Sequence, residues 1–188
     1  REMLEALDHV CVNLQKSAMV RPAKVYCVLS TPWSHGELRS ISVKREAEFQ
    51  FTEIFAQKLI TEEISKFEKE NSGNNQIIDR KITKVALNGY TVKSPHGQKT
   101  RDAHLDVFLS ISLSALIENL QDKIHKTFKS KILFTSQMLA DFIFTRGVLA
   151  SAKDLIILNA GGEITEVAIL KSGALSGTAF FPYGTNSI

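Results

Sequence analysis

The chain has 188 residues, of which 44% are hydrophobic and 23% charged, so its composition is that of a globular protein and not of a disordered or fibrous one. Its formal net charge is +3, too small to indicate nucleic-acid binding while Lys and Arg are spread among Glu and Asp. No apolar run reaches the roughly 18 residues of a membrane-spanning helix, and no signal peptide is visible.

Cysteine and histidine usage predicts neither a disulfide framework nor a metal centre. Cys11 and Cys27 both lie in apolar context, which favours free, buried thiols and a reducing compartment. The five histidines are scattered, and none has zinc-like spacing to a cysteine pair. The glycine-rich motifs of P-loop and dinucleotide-binding enzymes do not occur. We therefore expect no metal site made by this chain.

The first part of the chain alternates between helical and extended patterns. Apolar residues at helical spacing predict an amphipathic helix at the N-terminus, and Lys24–Ser30 predicts a strand apolar enough to be central in a sheet. A modest strand is predicted at Leu38–Lys44. Thr52 then caps a predicted helix that runs to about Glu70.

Two longer strands are predicted next. Alternating patterns indicate strands at Gln76–Leu87 and Arg101–Ser112, and the dipeptide Asn88-Gly89 between them is a strong turn signal. A short extended excursion separates this turn from the second strand. Residues 38–112 are therefore expected to follow the order strand, helix, strand, strand.

Helix and strand then alternate again. Ser114 is expected to cap a helix, Lys131–Phe134 to form a short strand, and Met138–Leu149 to form a strongly apolar helix. We expect this last pair to return the chain to the sheet that begins at Lys24–Ser30. Alternation of this kind predicts an α/β layer with a mixed sheet.

The stretch Leu155–Pro182 is predicted to form three short strands joined by two turns. The first turn contains Gly161 and Gly162, which remove the Cβ barrier to positive φ, so that successive backbone N–H groups would converge on an anion. Thr165, at the start of the second strand, would add a hydroxyl donor. The turn is thus a candidate phosphate-binding site.

This hairpin, followed by ALSGTAFFPYG, resembles the second phosphate hairpin of the actin-like ATPase superfamily, and in particular that of FtsA/PilM-like proteins. In that family the loop usually reads Asp-x-Gly-Gly-Gly-Thr-Thr-Asp. This chain has Asn159, Glu163, Ile164 and Glu166 in place of the first Asp, the third Gly, the first Thr and the last Asp. The pattern still predicts a hairpin, and at most a weak ATPase activity is expected.

The resemblance implies an α/β, actin-like (ribonuclease H-like) partial first half with an inserted α+β strand-helix-strand-strand subdomain, which the sequence KVALNGYTVKSPHG also resembles. It divides the chain as follows: 1–37 belongs to the first actin-like subdomain, 38–112 is the inserted subdomain, 113–154 returns to the first subdomain, and 155–188 begins the second half. The chain would then be a piece of a longer protein.

The resemblance also implies ATP and Mg²⁺ held between two phosphate hairpins in the full-length protein. The first hairpin would precede Arg1 and the adenosine-binding part would follow Ile188, so no cofactor is expected on this piece alone. An amide at Asn159 brings no charge to offset the metal, and the carboxylate of Glu163 repels a triphosphate. A hairpin kept only as scaffold is the alternative. The implied nucleotide-binding positions are Asn159, Gly161, Gly162, Glu163 and Thr165.

Two functions follow from the resemblance. The first is a bacterial FtsA-like scaffold of cell division that self-associates into filaments and binds a tubulin-like division protein. The alternative is a PilM-like component of type IV pilus assembly that binds a peptide of an inner-membrane partner. Both imply a cytoplasmic protein at the inner face of the cell membrane, which only parts outside this chain would contact. A sugar-kinase-like or chaperone-like ATPase is disfavoured by Asn159 and Glu163.

The excursion after Asn88-Gly89 supplies the expected partner contacts, which are Tyr90, Val92 and Pro95. Exposed strand edges in this region would allow a peptide to add as a further strand. The alternative is that Tyr90 and Val92 simply cover the long helix.

Overall fold

The computed structural model describes residues 2–18, 21–149 and 151–187. Within these ranges the chain forms four α-helices and nine strands in three sheets, and a 3-10 turn at Thr185–Ser187. The helices are α1 (Glu2–Ala18), α2 (Glu53–Glu70), α3 (Ser114–Phe128) and α4 (Gln137–Val148); the strands are β1 (Lys24–Leu29), β2 (His35–Gln50), β3 (Asn75–Leu87), β4 (Tyr90–Thr91), β5 (Lys99–Leu113), β6 (Lys131–Ser136), β7 (Leu155–Ala160), β8 (Thr165–Lys171) and β9 (Ala174–Phe181).

The predicted return of the chain to its first strand is confirmed. β6 pairs with β1 in parallel, from Lys24 opposite Lys131 to Leu29 opposite Ser136. The expectation of a mixed sheet is wrong for the described residues, because the β1–β6 sheet is purely parallel and the other two sheets are purely antiparallel.

The second sheet has the strand order β2-β5-β3-β4, and every pair in it is antiparallel. With α2, it follows the predicted order strand, helix, strand, strand, to which the two-residue β4 is added. The central strand β5 is buried on both faces: Leu105 and Val107 pack against α2, whereas Phe108 packs against α4. The domain boundaries proposed from the sequence stay a prediction.

Local sequence signals within this sheet are mostly confirmed. Thr52 Oγ1 accepts a hydrogen bond from the N–H of Phe55 at 3.1 Å, the expected N-cap of α2. Asn88 and Gly89 have φ of 49° and 84°, as a tight type I′ hairpin turn requires. The first strand is longer than predicted, since a bulge after Lys44 lets β2 continue to pair with β5 beyond the alternating stretch.

The predicted cap of α3 is wrong. Leu113 is the N-cap residue, it makes no side-chain cap bond, and Ser114 is already the first helical residue. The reason is that β5 runs directly into α3, so no residue between them is free for capping. The N–H of Ser114 instead donates to the carbonyl of Asn74 at 2.8 Å.

A buried carboxylate ties β3 to the two-stranded sheet. Asp79 Oδ1 accepts from the hydroxyl of Thr135 at 2.7 Å, and its Oδ2 accepts from the N–H of Ser136 at 2.8 Å and from the hydroxyl of Ser110. Asp79 is buried and therefore needs these donors, because a buried charge without partners is costly.

Three apolar clusters form the core. One lies between α2 and the four-stranded sheet, one between α4, β5 and the β7-β8-β9 sheet, and one between α1, α3 and the two-stranded sheet. Cys11 and Cys27 are both free thiols, as predicted, but only Cys11 is buried and Cys27 is half-buried. Burial raises the pKa of each thiol. Among the described helices, none combines the length and the apolar character needed to cross a membrane.

Candidate functional site

The predicted glycine hairpin is formed by β7 and β8. The strands pair antiparallel from Leu155 opposite Leu170 to Ala160 opposite Thr165, and β9 pairs with the far side of β8. The turn is closed by the N–H of Gly161, which donates to the carbonyl of Ile164 at 2.9 Å. This N–H is therefore used inside the turn.

The reason for the two glycines differs from the one expected. Neither Gly161 nor Gly162 has positive φ. A Cβ on Gly161 would lie 3.0 Å from the carbonyl oxygen of Ile164, and a Cβ on Gly162 would lie 3.0 Å from Nδ2 of Asn186. Gly161 thus allows the close approach of a backbone carbonyl, whereas the neighbour of Gly162 is the end of a side chain that can move.

The residues after β9 pack onto this turn. The N–H groups of Thr185 and Asn186 each donate at 2.8 Å, to the carbonyls of Gly161 and Gly162 respectively. Gly184 lies so close that a Cβ there would be 2.4 Å from the carbonyl oxygen of Gly161. The sequence analysis does not predict the packing of these residues on the glycine turn. The only local sign of it is Gly184, followed by residues that favour turns.

A cleft of about 430 Å³ lies between the hairpin and the end of β1. It brings together four of the five predicted nucleotide-binding residues. Thr165 does not line it, and its hydroxyl donates to the carbonyl of Tyr183 at 2.7 Å. The residues that line the cleft from the hairpin side are Asn159, Gly161, Gly162, Glu163, Ile164 and Glu166.

Glu166 forms the buried floor of the cleft. It is 7% exposed. Its Oε1 accepts from the hydroxyl of Thr31 at 2.6 Å and from the N–H of the same residue at 3.3 Å. Its Oε2 accepts from Nδ2 of Asn159 at 3.3 Å. The carboxylate is thus held by three donors, and sequence reasoning missed Thr31 because no local pattern links it to β8.

A second missed residue, Gln137, lines the cleft at the first position of α4. Its Nε2 donates to Oδ1 of Asp141 at 2.7 Å. Burial raises the pKa of Asp141, the charge of Glu166 raises it further, and the bond from Gln137 acts in the opposite direction. Gln137 thus connects the lining of the cleft to a carboxyl group on α4 that lies outside it.

The charge of the cleft does not suit a triphosphate. Its lining holds the carboxylates of Glu163 and Glu166 and no Lys or Arg. In the described part of the chain, no group of three His, Cys, Asp or Glu side chains is arranged to hold a metal ion. The lining of the cleft thus supplies no cationic side chain to offset phosphate charge, and the nucleotide role of the hairpin stays a prediction.

The three predicted partner contacts lie in different surroundings. Tyr90, in β4, is 79% exposed. Val92 packs against the cluster beneath α2, and its N–H donates to the carbonyl of Val85 at 2.9 Å. Pro95 is buried. Of the three, only Tyr90 presents a surface to a partner.

The fold and the hairpin define a mixed α/β protein. Comparison with known proteins then shows which solved structure has a similar fold. Neither family models nor curated proteins match the sequence. The fold is similar to a solved structure described as a PilM-PilN type IV pilus biogenesis complex, with a TM-score of 0.63, 14% identity and 96% of this chain covered. The chain spans 49% of the length of that neighbour. The likeness shows a PilM-like fold.

Proposed function

We propose that the chain is part of a PilM-like scaffold that acts by binding partner proteins and not by turning over nucleotide. The fold similarity to PilM covers 96% of the chain, and that neighbour is described as a complex with PilN. This supports a pilus-assembly scaffold over an FtsA-like cell-division scaffold. The proposal places the protein in the cytoplasm, at the inner face of the cell membrane.

The proposal that the chain does not turn over nucleotide rests on one observation, the lining of the cleft. It presents two carboxylates and no cationic side chain where a phosphate group would have to lie. The N–H of Gly161 and the hydroxyl of Thr165 already donate within the chain. Hydrolysis of ATP needs charge stabilisation that these residues do not supply.

The partner surface is proposed at β4. This strand is the outer member of the β2-β5-β3-β4 sheet, so its free edge offers backbone groups to an added strand. Tyr90 lies on this edge and is exposed, and exposed aromatic residues are common anchors of protein interfaces. A short segment of an inner-membrane protein is the proposed occupant.

Isothermal titration with cytoplasmic peptides of inner-membrane pilus proteins tests the proposal. One peptide should bind saturably, and Tyr90→Ala should weaken that binding roughly tenfold without changing the melting temperature. Val92→Ala is the matched control, since it should lower stability through lost packing and leave the affinity of the folded protein unchanged. Absence of peptide binding, together with cosedimentation with a tubulin-like division protein, would favour the FtsA-like function.

A further inference from the structure

Two adjoining pockets lie at the end of β8 opposite the cleft. Their volumes are about 300 Å³ and 190 Å³, and both are lined by Ser172 of the β8–β9 turn. The turn is well fixed: the N–H of Gly173 donates to the carbonyl of Lys153 at 2.6 Å, and the N–H of Ser172 donates to Oδ1 of Asp154 at 2.7 Å. One pocket is backed by β2, β3 and β5, and the other by the end of α4.

The lining of these pockets is cationic. It contains five basic side chains, which we call the basic surface: Lys84, Lys93, Arg146, Lys153 and Lys171. The same lining contains one carboxylate, that of Asp106, which is buried and already bonded to the hydroxyl of Ser40 and to His104.

The basic surface is not neutralised within the described part of the chain. None of its four lysines forms an ion pair with a described acidic residue. A guanidinium nitrogen of Arg146 donates to the carbonyl of Gly173, which fixes the side chain without offsetting its charge.

The small net charge of the chain does not account for this cluster of basic side chains. The whole chain has a formal net charge of only +3, yet five Lys and Arg side chains meet here, with one carboxylate in the lining and that of Asp154 beside Ser172. The cleft at the other end of β8 holds two carboxylates and no Lys or Arg. Like charges brought together raise the free energy of the folded chain, and a partner of opposite charge relieves this cost.

We propose that the basic surface binds an extended acidic peptide segment of a partner protein, with carboxylates placed in the two pockets on either side of Ser172. Two separate concave pockets fit individual side chains. A membrane surface is too flat to enter them, and a nucleic-acid backbone needs a continuous basic track. The inference rests on charge and shape alone, so it does not depend on the pilus-scaffold proposal.

Fluorescence anisotropy with a labelled dodecapeptide of alternating Glu and Ala tests the inference on the 188-residue chain. Saturable binding is expected, and raising NaCl from about 50 mM to about 300 mM should weaken it roughly tenfold. A peptide with Gln in place of Glu should not bind. Lys84→Glu/Lys171→Glu and Lys93→Glu/Lys153→Glu should each weaken binding roughly tenfold.

The matched control is Lys58→Glu/Lys66→Glu on α2, which makes the same change in net charge away from the pockets and should alter affinity by less than about twofold. Circular dichroism confirms that each variant is folded. The inference is overturned by an absence of saturable peptide binding, or by an equal loss in the control. It is equally overturned if a twelve-nucleotide oligothymidylate, or phosphatidylserine vesicles, bind while the peptide does not.

Discussion

The hydroxyl of Thr31 donates a hydrogen bond of 2.6 Å to the buried carboxylate of Glu166, and this bond joins residues 135 positions apart. It fixes the end of β1 against the start of β8. Both residues line the cleft, so this bond and the second one that the Thr31 backbone donates at 3.3 Å join its two sides.

Thr31→Val removes the hydroxyl and keeps the side-chain volume. The carboxylate of Glu166 is then left with fewer donors in a buried position, and we expect the free energy of unfolding to fall by about 1–3 kcal/mol in urea denaturation. Thr61→Val is the control, since that hydroxyl bonds the carbonyl of Gln57 on an exposed helix face. Equal losses in the two variants would contradict a special role for the Thr31 bond.

Asn159→Asp restores the acidic residue that the actin-like family has at this position, and it should destabilise this chain. The amide of Asn159 now donates to Glu166 at 3.3 Å, so the substitution would place two carboxylates at the same separation. We expect a lower melting temperature in EDTA. Added Mg²⁺ should recover part of the loss, because a cation that binds only the folded state stabilises it.

Parallel thermal melts of the unmodified chain give the comparison for that experiment. Mg²⁺ and Mg-ATP should leave its melting temperature unchanged, whereas a ligand at about 100 times its dissociation constant would add roughly 2.7 kcal/mol. Asn74→Asp, in an exposed loop, controls for the added charge. A clear shift of the unmodified chain with Mg-ATP would contradict the expectation that the carboxylates of the cleft keep a triphosphate out.

Asp141→Asn should stabilise the protein near neutral pH. Burial and the charge of Glu166 raise the pKa of Asp141, so the folded chain binds this proton more tightly than the unfolded chain does. The stability that this proton contributes is present at low pH and is lost as pH rises through the raised pKa. Urea denaturation should show the variant to be more stable at about pH 7, with the advantage shrinking towards about pH 4.

The Asp141→Asn comparison separates the effect of charge from that of packing. Asn can still accept the bond from Gln137, so the comparison isolates the charge of Asp141. Asp122→Asn removes a charge from an exposed position of α3 and serves as the control. An advantage of Asp141→Asn that is independent of pH would show that packing, and not protonation, is responsible.

Gly184→Ala should detach the C-terminal turn from the glycine hairpin. Its Cβ would lie 2.4 Å from the carbonyl oxygen of Gly161, a backbone atom that cannot move aside without opening the hairpin. We expect a loss of roughly 1–3 kcal/mol in urea denaturation, as for overpacking elsewhere, and faster proteolysis after Phe181. Gly177→Ala, whose Cβ meets no atom within 4 Å, should be tolerated and provides the control.

The sequence predicted the elements better than it predicted their contacts. Periodicity is a local property, so the helix that begins after Thr52 and the turn at Asn88-Gly89 were both recognised. The burial of Pro95 and the bond from Thr31 to Glu166 depend on residues far apart in the chain, and no pattern of spacing records them. The hairpin was likewise predicted, while the turn that packs on it was not.

The three hydrogen bonds to Asp79 indicate which parts of this protein unfold together. Its oxygens accept from Ser110 on β5 and from Thr135 and Ser136 on β6, so the four-stranded sheet and the β1–β6 pair share one buried carboxylate. Neither part can separate without stranding that charge or its donors in an apolar setting. Excising residues 38–112 would remove Asp79 and leave Thr135 and Ser136 without their acceptor, so the remnant should be less stable than the same part of the intact chain. In the intact chain, amide exchange should report both sheets opening together in a single cooperative step.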